Sequence, residues 1–382
     1  MIAACPFPYP RGTPVRIQRL SEALAKRGHD VHVFTYHLGD TSGTHPFTVH
    51  RIPRVATYTK RSPGPTLQKL VVVDPLLAAK LFRGLSRAHF DVIHAHHYEG
   101  LLVGKIGRAG RSIPLIYDAH TLLGSELPFF ETGLSKNLGA RLGARLDRWL
   151  PRLADHIVAV TETIKNKLTA HGLAEDRVTV ITNGVEYEQF QSVDSAPSPA
   201  VGPPRLIFTG NLASYQGVDV LLKAFAKIVQ KRQGVRLLLV TDSSFESYEK
   251  QAAELGIRAC IDLSSAPFTE HPRLLSTAAV ALNPRTDCDG IPQKLLNYMA
   301  AGRATVSFAG SAPCVEHGET GWVVRNADID AFAEGTLKLL DDPALANRLG
   351  QRARDAVAAR FTWQVAAEKA EAMYQRLLNS RA

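Results

Sequence analysis

Two successive series of short apolar runs, alternating with helical patterns, constrain this 382-residue chain more than any other feature. The first series lies at residues 1–5, 31–36, 47–52, 91–95, 114–117, 156–161 and 178–182. The second lies at 206–209, 235–241, 280–284 and 305–308, interleaved with helical patterns at 218–231 and 293–301. Runs that are apolar on both faces belong in parallel sheets covered by helices. The first helix carries clear signals: Thr13 at the N-cap, Pro14 at the first helical position, apolar Val15, Ile17, Leu20 and Leu24, and Gly28 as the stop. The expectation is an α/β chain of two doubly wound, Rossmann-like domains facing each other across a cleft. Residues 1–190 form the first and 205–358 the second. The stretch 191–204, rich in Ser, Pro, Ala and Gly, reads as a linker. Residues 343–382 read as helical with breaks at Gly350 and at Phe361-Thr362-Trp363, and 359–382 is expected to pack back toward the first domain. Ligand groups belong at the carboxyl ends of the strands.

Charge narrows the partners. Lys and Arg number 45 against 36 Asp and Glu, a net +9, which attracts nucleotides, nucleic acid or an anionic membrane. No basic tract interleaved with aromatics is present, which argues against nucleic acid. Cys5, Cys260, Cys288 and Cys314 are scattered without a CxxC pair, so neither a cysteine zinc site nor a disulfide framework is indicated, and a reducing cytoplasm suits them. The N-terminus has no secretory pattern, and the apolar stretch 70–82 is too short, and too interrupted by Asp74, Pro75 and Lys80, to cross a bilayer. Because Met1 opens directly on a strand, translation is expected to start a few codons upstream. An intact mass above 41.7 kDa would support that start.

Several strand ends carry chemistry. Arg11-Gly12-Thr13 brings backbone N–H groups and a helix N-terminus to the end of the first strand, where an anion can bind. His94, His96 and His97 follow one strand and Asp118-Ala119-His120 ends the next, a set compatible with zinc or with a metal-free site. Thr209-Gly210-Asn211 and Gln216-Gly217 open the second domain. The turn from Pro284 to Pro292 then feeds a helix bearing Lys294, Asn297 and Tyr298.

This order, above all Gly290 to Gly302 followed by Thr305-Val306 and Gly318-Glu319-Thr320-Gly321-Trp322-Val323-Val324, resembles the retaining glycosyltransferases of family 4, of GT-B fold. The resemblance implies transfer of a hexose from a UDP- or GDP-linked sugar to a glycan or lipid-linked acceptor, with no cofactor and no essential metal. It puts Gly12 near the donor phosphate or acceptor, His120 beside the transferred sugar, and the Gly290-Ile291-Pro292 turn on the sugar and diphosphate. Asp289 would orient sugar hydroxyls. The family's two glutamates, separated by seven intervening residues, correspond to Asp289 and Asn297; the amide can still accept one hydrogen bond from a ribose hydroxyl. Where the family places an Arg and a Lys on the diphosphate, after Gly210, this chain has Asn211 and Gln216. Their absence removes charge-assisted hydrogen bonds of about 1.5–3 kcal/mol each. Arg285 and Lys294, flanking the Gly290 turn, are expected to supply that charge. Asp287 reads as part of a solvated acidic turn. The competing readings are a GT-B scaffold or regulatory partner without catalysis, and a GT-B sugar-nucleotide epimerase.

Residues 134–153 read as an amphipathic helix. Leu138, Leu142, Leu146, Trp149 and Leu153 form one face, and Arg141, Arg145, Arg148 and Arg152 another. It fits either a peripheral contact with an anionic membrane or an ordinary surface helix with its apolar stripe in the core. With Lys69, Lys80, Arg83 and Arg87 it adds positive charge to the first domain, which the resemblance implies holds the acceptor; the expected location is the cytoplasm, with the inner face of the cell membrane as one option.

Overall fold

Apolar runs too short and too β-branched to form helices pair in parallel throughout this chain. The computed structural model describes residues 1–9, 12–40, 43–61, 64–130, 135–191, 202–288 and 290–380. Its first sheet has seven strands, β1 (Ile2–Ala3), β2 (His32–Thr35), β3 (Thr48–Arg51), β4 (Ile93–His96), β5 (Leu115–Ala119), β6 (His156–Ala159) and β7 (Val178–Val180). They run parallel in the order β3-β2-β1-β4-β5-β6-β7. The second sheet has six: β8 (Arg205–Thr209), β9 (Arg236–Val240), β10 (Ile261–Ser264), β11 (Val280–Asn283), β12 (Ala304–Phe308) and β13 (Trp322–Val324). Their order is β10-β9-β8-β11-β12-β13, again all parallel. In both sheets the chain reverses its direction of winding beside the first strand, between β1 and β4 and between β8 and β11. These are the two topological switch points. Both sheets are Rossmann-like, the GT-B pattern.

Strands β10 and β13 do not stand out in the sequence because they are edge strands. β10 alternates Ile261-Asp262-Leu263-Ser264 with Leu263 exposed, and β13 is three residues long.

The chain divides into two compact units, Met1–Asn183 with Trp363–Ala382, and Gly184–Thr362. The division corrects the expected first boundary at 190. Val185 N–H donates to Phe361 O at 2.9 Å and Phe190 is buried in the second unit's core, so residues 184–191 belong to that unit. Most of the expected linker, 192–201, lies outside the described residues. Helix Trp363–Asn379 returns to the first unit, burying Ala366, Ala370 and Met373 in a core shared with Ile17, Leu20 and Leu24. Arg27 pairs with Glu371 and Glu368 along the same seam.

Two other expectations are corrected. Gly350 does not break a helix; it lies inside Pro343–Arg360, where a Cβ would come within 2.1 Å of Gly302 O. Thr13 is not an N-cap, since the helix Gly12–Lys26 has already begun one residue earlier.

The expected apolar stripe along the helix Lys136–Trp149 is mostly exposed, with Leu146 half-buried and Leu153, just past the helix, packing against the first unit's core. The buried residues of the helix are Gly139, Gly143 and Asp147, four apart, while Leu138, Leu142 and Trp149 are 52, 42 and 63% exposed. Close backbone approach decides this, because a Cβ on Gly143 would lie 2.4 Å from Leu123 O. The Asp147 carboxylate then accepts from Leu123 N at 2.9 Å and Gly124 N at 2.8 Å, capping the short helix Leu123–Glu126. Among the described residues no helix is long and apolar enough to cross a membrane.

Candidate functional site

A cavity of about 440 Å³ opens in the first unit at its switch point, where β1, β4 and β5 end. It takes its walls from the segment after β1, including Gly12, from His96 at the end of β4 and His97 beyond it, and from His120 after β5. Parallel strands end side by side here, so three loops distant in sequence converge.

Beneath the cavity lies a charged cluster. Asp118 is fully buried and accepts from Arg16 Nε at 2.9 Å, Arg16 Nη2 at 3.2 Å and His94 Nε2 at 3.2 Å. Arg16 also donates to Asn183 Oδ1 and Ile181 O, both at 2.9 Å. His96 Nδ1 lies 3.3 Å from Asp118 and 3.1 Å from His120 Nε2, and His94 Nδ1 meets the Tyr374 hydroxyl at 2.6 Å. Burial opposes the Asp118 charge, yet Arg16 and the histidines hold its carboxyl well below the usual carboxylate range. Burial dominates for the imidazoles, pulling His96 down to about 3 and His120 well below its ordinary value, so both are neutral at pH 7.

Ligand atoms of His94, His96 and Asp118 lie within 4.8 Å of one another, the spacing of a metal site. The Arg16 guanidinium nevertheless engages both carboxylate oxygens, supplying in place the positive charge that a metal would bring. Arg16 belongs to this cluster and was missed by the sequence reading. Its signal was present: it stands at i, i+4, i+8 with Leu20 and Leu24, a cation in the buried stripe of a helix.

A second cluster lines the cavity wall. Lys69 Nζ pairs with Glu99, His97 Nδ1 lies 3.1 Å from Glu99, and His97 Nε2 lies 3.2 Å from Glu126. His97 adopts φ +64°, an uncommon conformation for a side chain with a Cβ and one that turns it toward both carboxylates. Burial lowers the His97 pKa, but Glu126 and Glu99 outweigh it and raise it to about 10. Glu99 is correspondingly held at about 2 despite its burial, chiefly by Lys69.

The second unit gathers the expected donor residues at its own switch point. Gly217 has φ +73° and a Cβ there would lie 2.4 Å from Pro284 O, so the loops after β8 and β11 touch through backbone. Lys294 Nζ donates to Gln216 Oε1 at 2.6 Å and lies 4.0 Å from the Phe208 ring centroid. Burial first and the charge of Arg285 second pull its pKa down to about 7. Arg285 stacks over Tyr215 at 5.0 Å and donates from Nε to Asp287 O at 2.6 Å, while Asn211 Nδ2 donates to the Tyr215 hydroxyl at 3.0 Å. Tyr215, exposed in the loop after β8, thus joins two expected donor residues and was missed in the sequence, where a lone loop aromatic carries little signal. Gly210, at φ +125°, and Gly290 both have open space where a Cβ would project. Ile291 packs at the edge of the core and Pro292 sits at the N-cap of Gln293–Ala300. Asn297 is buried with Oδ1 unpartnered among the described residues. Asp289 lies outside the described residues. Arg141, Arg145, Arg148 and Trp149 are exposed on the first unit, not at its cavity.

Two family models match this chain, "Glycosyltransferase Family 4" over residues 10–189 and "Glycosyl transferases group 1" over 203–342. The chain belongs to glycosyltransferase family 4. Among its relatives, the D-inositol 3-phosphate glycosyltransferase of Streptomyces scabiei is 26% identical, over 95% of this chain and 86% of that protein. The glycogen synthase of Mycobacterium tuberculosis is 25% identical, over 94% and 89%. Among solved structures, sucrose-phosphate synthase from Thermosynechococcus elongatus superposes with a TM-score of 0.78 at 20% identity, covering 99% of this chain and 96% of that one. Anabaena HepE in complex with UDP gives 0.75 at 18% identity, covering 96% and 97%. The family 4 chain described here is therefore a glycosyltransferase of GT-B fold.

Proposed function

We propose that this glycosyltransferase moves a hexose from a UDP- or GDP-linked sugar to a glycan or lipid-linked acceptor, with retention at the anomeric carbon. The observation that carries the reading is the cavity at the β1/β4 switch point, which sets Gly12 and a neutral His120 around an open space large enough for a sugar ring. That a structural neighbour was solved with UDP and that relatives are named as glycosyl-transferring enzymes support a nucleotide-sugar donor. In this reading Lys294, Arg285 and the backbone of the Gly290 turn stabilise the negative charge of the departing diphosphate. Gly210, Asn211 and Gln216 complete that surface, and Asn297 Oδ1 accepts from a ribose hydroxyl. His120 and Asp289 orient the sugar as it gains oxocarbenium character.

The acceptor is presented at a membrane. Leu138, Leu142 and Trp149 expose an apolar stripe flanked by Arg141, Arg145 and Arg148, and Leu67, Leu70 and Val71 are exposed 75, 60 and 58% on the same unit. Basic charge beside exposed leucines suits the anionic inner face of the cell membrane. The test is incubation with UDP- and GDP-hexoses and glycan or lipid-linked acceptors, with the anomeric configuration of the product read by NMR. An axial donor giving an axial linkage supports the reading. Inversion, or donor binding with release of free sugar alone, refutes it, the second outcome favouring an acceptor-independent enzyme.

A further inference from the structure

Among the described residues, the buried charge in and beneath the first unit's cavity is internally matched. Arg16 is held by Asp118, Lys69 by Glu99, and His97 between Glu99 and Glu126. Arg61, exposed at the rim, is the remaining cation among the described lining residues. A phosphate ester, carrying about −1.5 to −2 charge, would find no free buried cation among the described residues and two carboxylates close by.

What the walls do offer is hydrogen-bond acceptors. His96 is fully buried, its Nδ1 faces the Asp118 carboxylate, and its Nε2 has no partner. With the proton on Nδ1, Nε2 is left as a buried, unpartnered acceptor on a residue that lines the cavity, which a hydroxyl donor can satisfy and a phosphate dianion cannot. Glu99 and Glu126 add carboxylate oxygens, and Tyr58, Tyr98 and Phe130 add flat apolar surface suited to the C–H face of a ring.

We infer that this cavity selects an unphosphorylated, hydroxyl-bearing ring as the accepting group, and that Glu99 is the residue that excludes phosphate esters by occupying Lys69. The inference rests on the proposed glycosyl transfer with the first unit as its acceptor side, takes this cavity as the place the acceptor enters, and narrows the acceptor's chemistry.

Calorimetric titration of the full chain with inorganic phosphate and with the pairs glucose and glucose 6-phosphate, and myo-inositol and D-inositol 3-phosphate, tests it. Wild type is expected to show no phosphate binding that depends on Lys69. The Glu99→Gln variant, its lysine released, is expected to gain about tenfold or more in phosphate affinity, the worth of one charge-assisted contact. Adding Lys69→Met to it should erase the gain. Phosphate bound by wild type and lost in Lys69→Met overturns the inference, as does a folded Glu99→Gln protein with no gain. Should Glu99→Gln fail to fold, the comparison of wild type with Lys69→Met decides alone. Phosphate held elsewhere, unmoved by Lys69→Met, leaves the exclusion standing. Loss of transfer to every acceptor defeats the functional reading, whereas a phosphate site at Lys69 with transfer intact overturns only the selectivity.

Discussion

Replacing Asp118 by Asn tests whether the buried cluster is held together by charge or by shape. The carboxylate accepts two bonds from Arg16, at 2.9 and 3.2 Å, and one from His94 at 3.2 Å, with no solvent access. Asparagine keeps the volume and one acceptor oxygen, but turns an N–H₂ toward a cation or an imidazole N–H. It also leaves the Arg16 guanidinium uncompensated at 2% exposure. Breaking a buried pair on one side costs about 3–5 kcal/mol. The variant should therefore lose about that much in urea denaturation, with hydrogen exchange accelerating first in β4 and β5. The double replacement Arg16→Met with Asp118→Leu, which removes both charges, should cost less than the sum of the single replacements. The pH dependence has a definite sign. Asp118 has a folded pKa below its unfolded one, so its contribution is complete above the unfolded value of about 4 and is lost as pH falls toward the folded value. The gap between wild type and Asp118→Asn should therefore narrow in acid. An Asn variant within about 1 kcal/mol of wild type, or strictly additive single replacements, would refute the reasoning.

Three further outcomes are expected. Lys294 loses its proton near pH 7, so UDP or GDP affinity should weaken as pH rises through that value and the slope should vanish in Lys294→Met; calorimetry giving a flat profile in wild type would remove Lys294 from the donor site. Gly350→Ala pushes a methyl against Gly302 O and should cost about 1–3 kcal/mol in thermal unfolding, whereas Gly290→Ala, with open space around its Cβ, should keep wild-type stability and lose donor affinity. The pair Leu142→Glu and Trp149→Glu should abolish sedimentation with anionic vesicles without lowering Tm, because both side chains are already in solvent. Vesicle binding that survives would assign the membrane contact elsewhere.

Much of this architecture is written in local pattern. Runs such as Leu206–Thr209 inside β8 or His156–Ala159 in β6 are apolar on both faces, which a covered parallel sheet requires, and Gly28 at φ +93° ends its helix where a Cβ would strain the turn. The same pattern set the strand ends and hence the neighbourhoods of Gly12, His120, Gln216 and Lys294. It left Lys136–Trp149 undecided, where the leucine stripe fitted a buried face as well as a membrane contact. Helix packing there is governed by how closely backbones approach, and only Gly139 and Gly143 permit that approach. A hydrophobic pattern reports what a helix could bury, and the neighbour decides what it does bury.

The sequence by itself determined two parallel α/β sheets, their strand ends and the family, because each depends on residues close together in the chain. The tertiary structure alone decided the partners of Arg16, Lys69 and Tyr374. Arg16 meets a carboxylate 102 residues away, Lys69 one 30 away, and Tyr374 a histidine 280 away. No local rule sets such distances. Burial raises the cost of an unpaired charge or hydrogen-bonding group, so once the fold brings these groups together they must pair, and that pairing gives the cavity its chemistry.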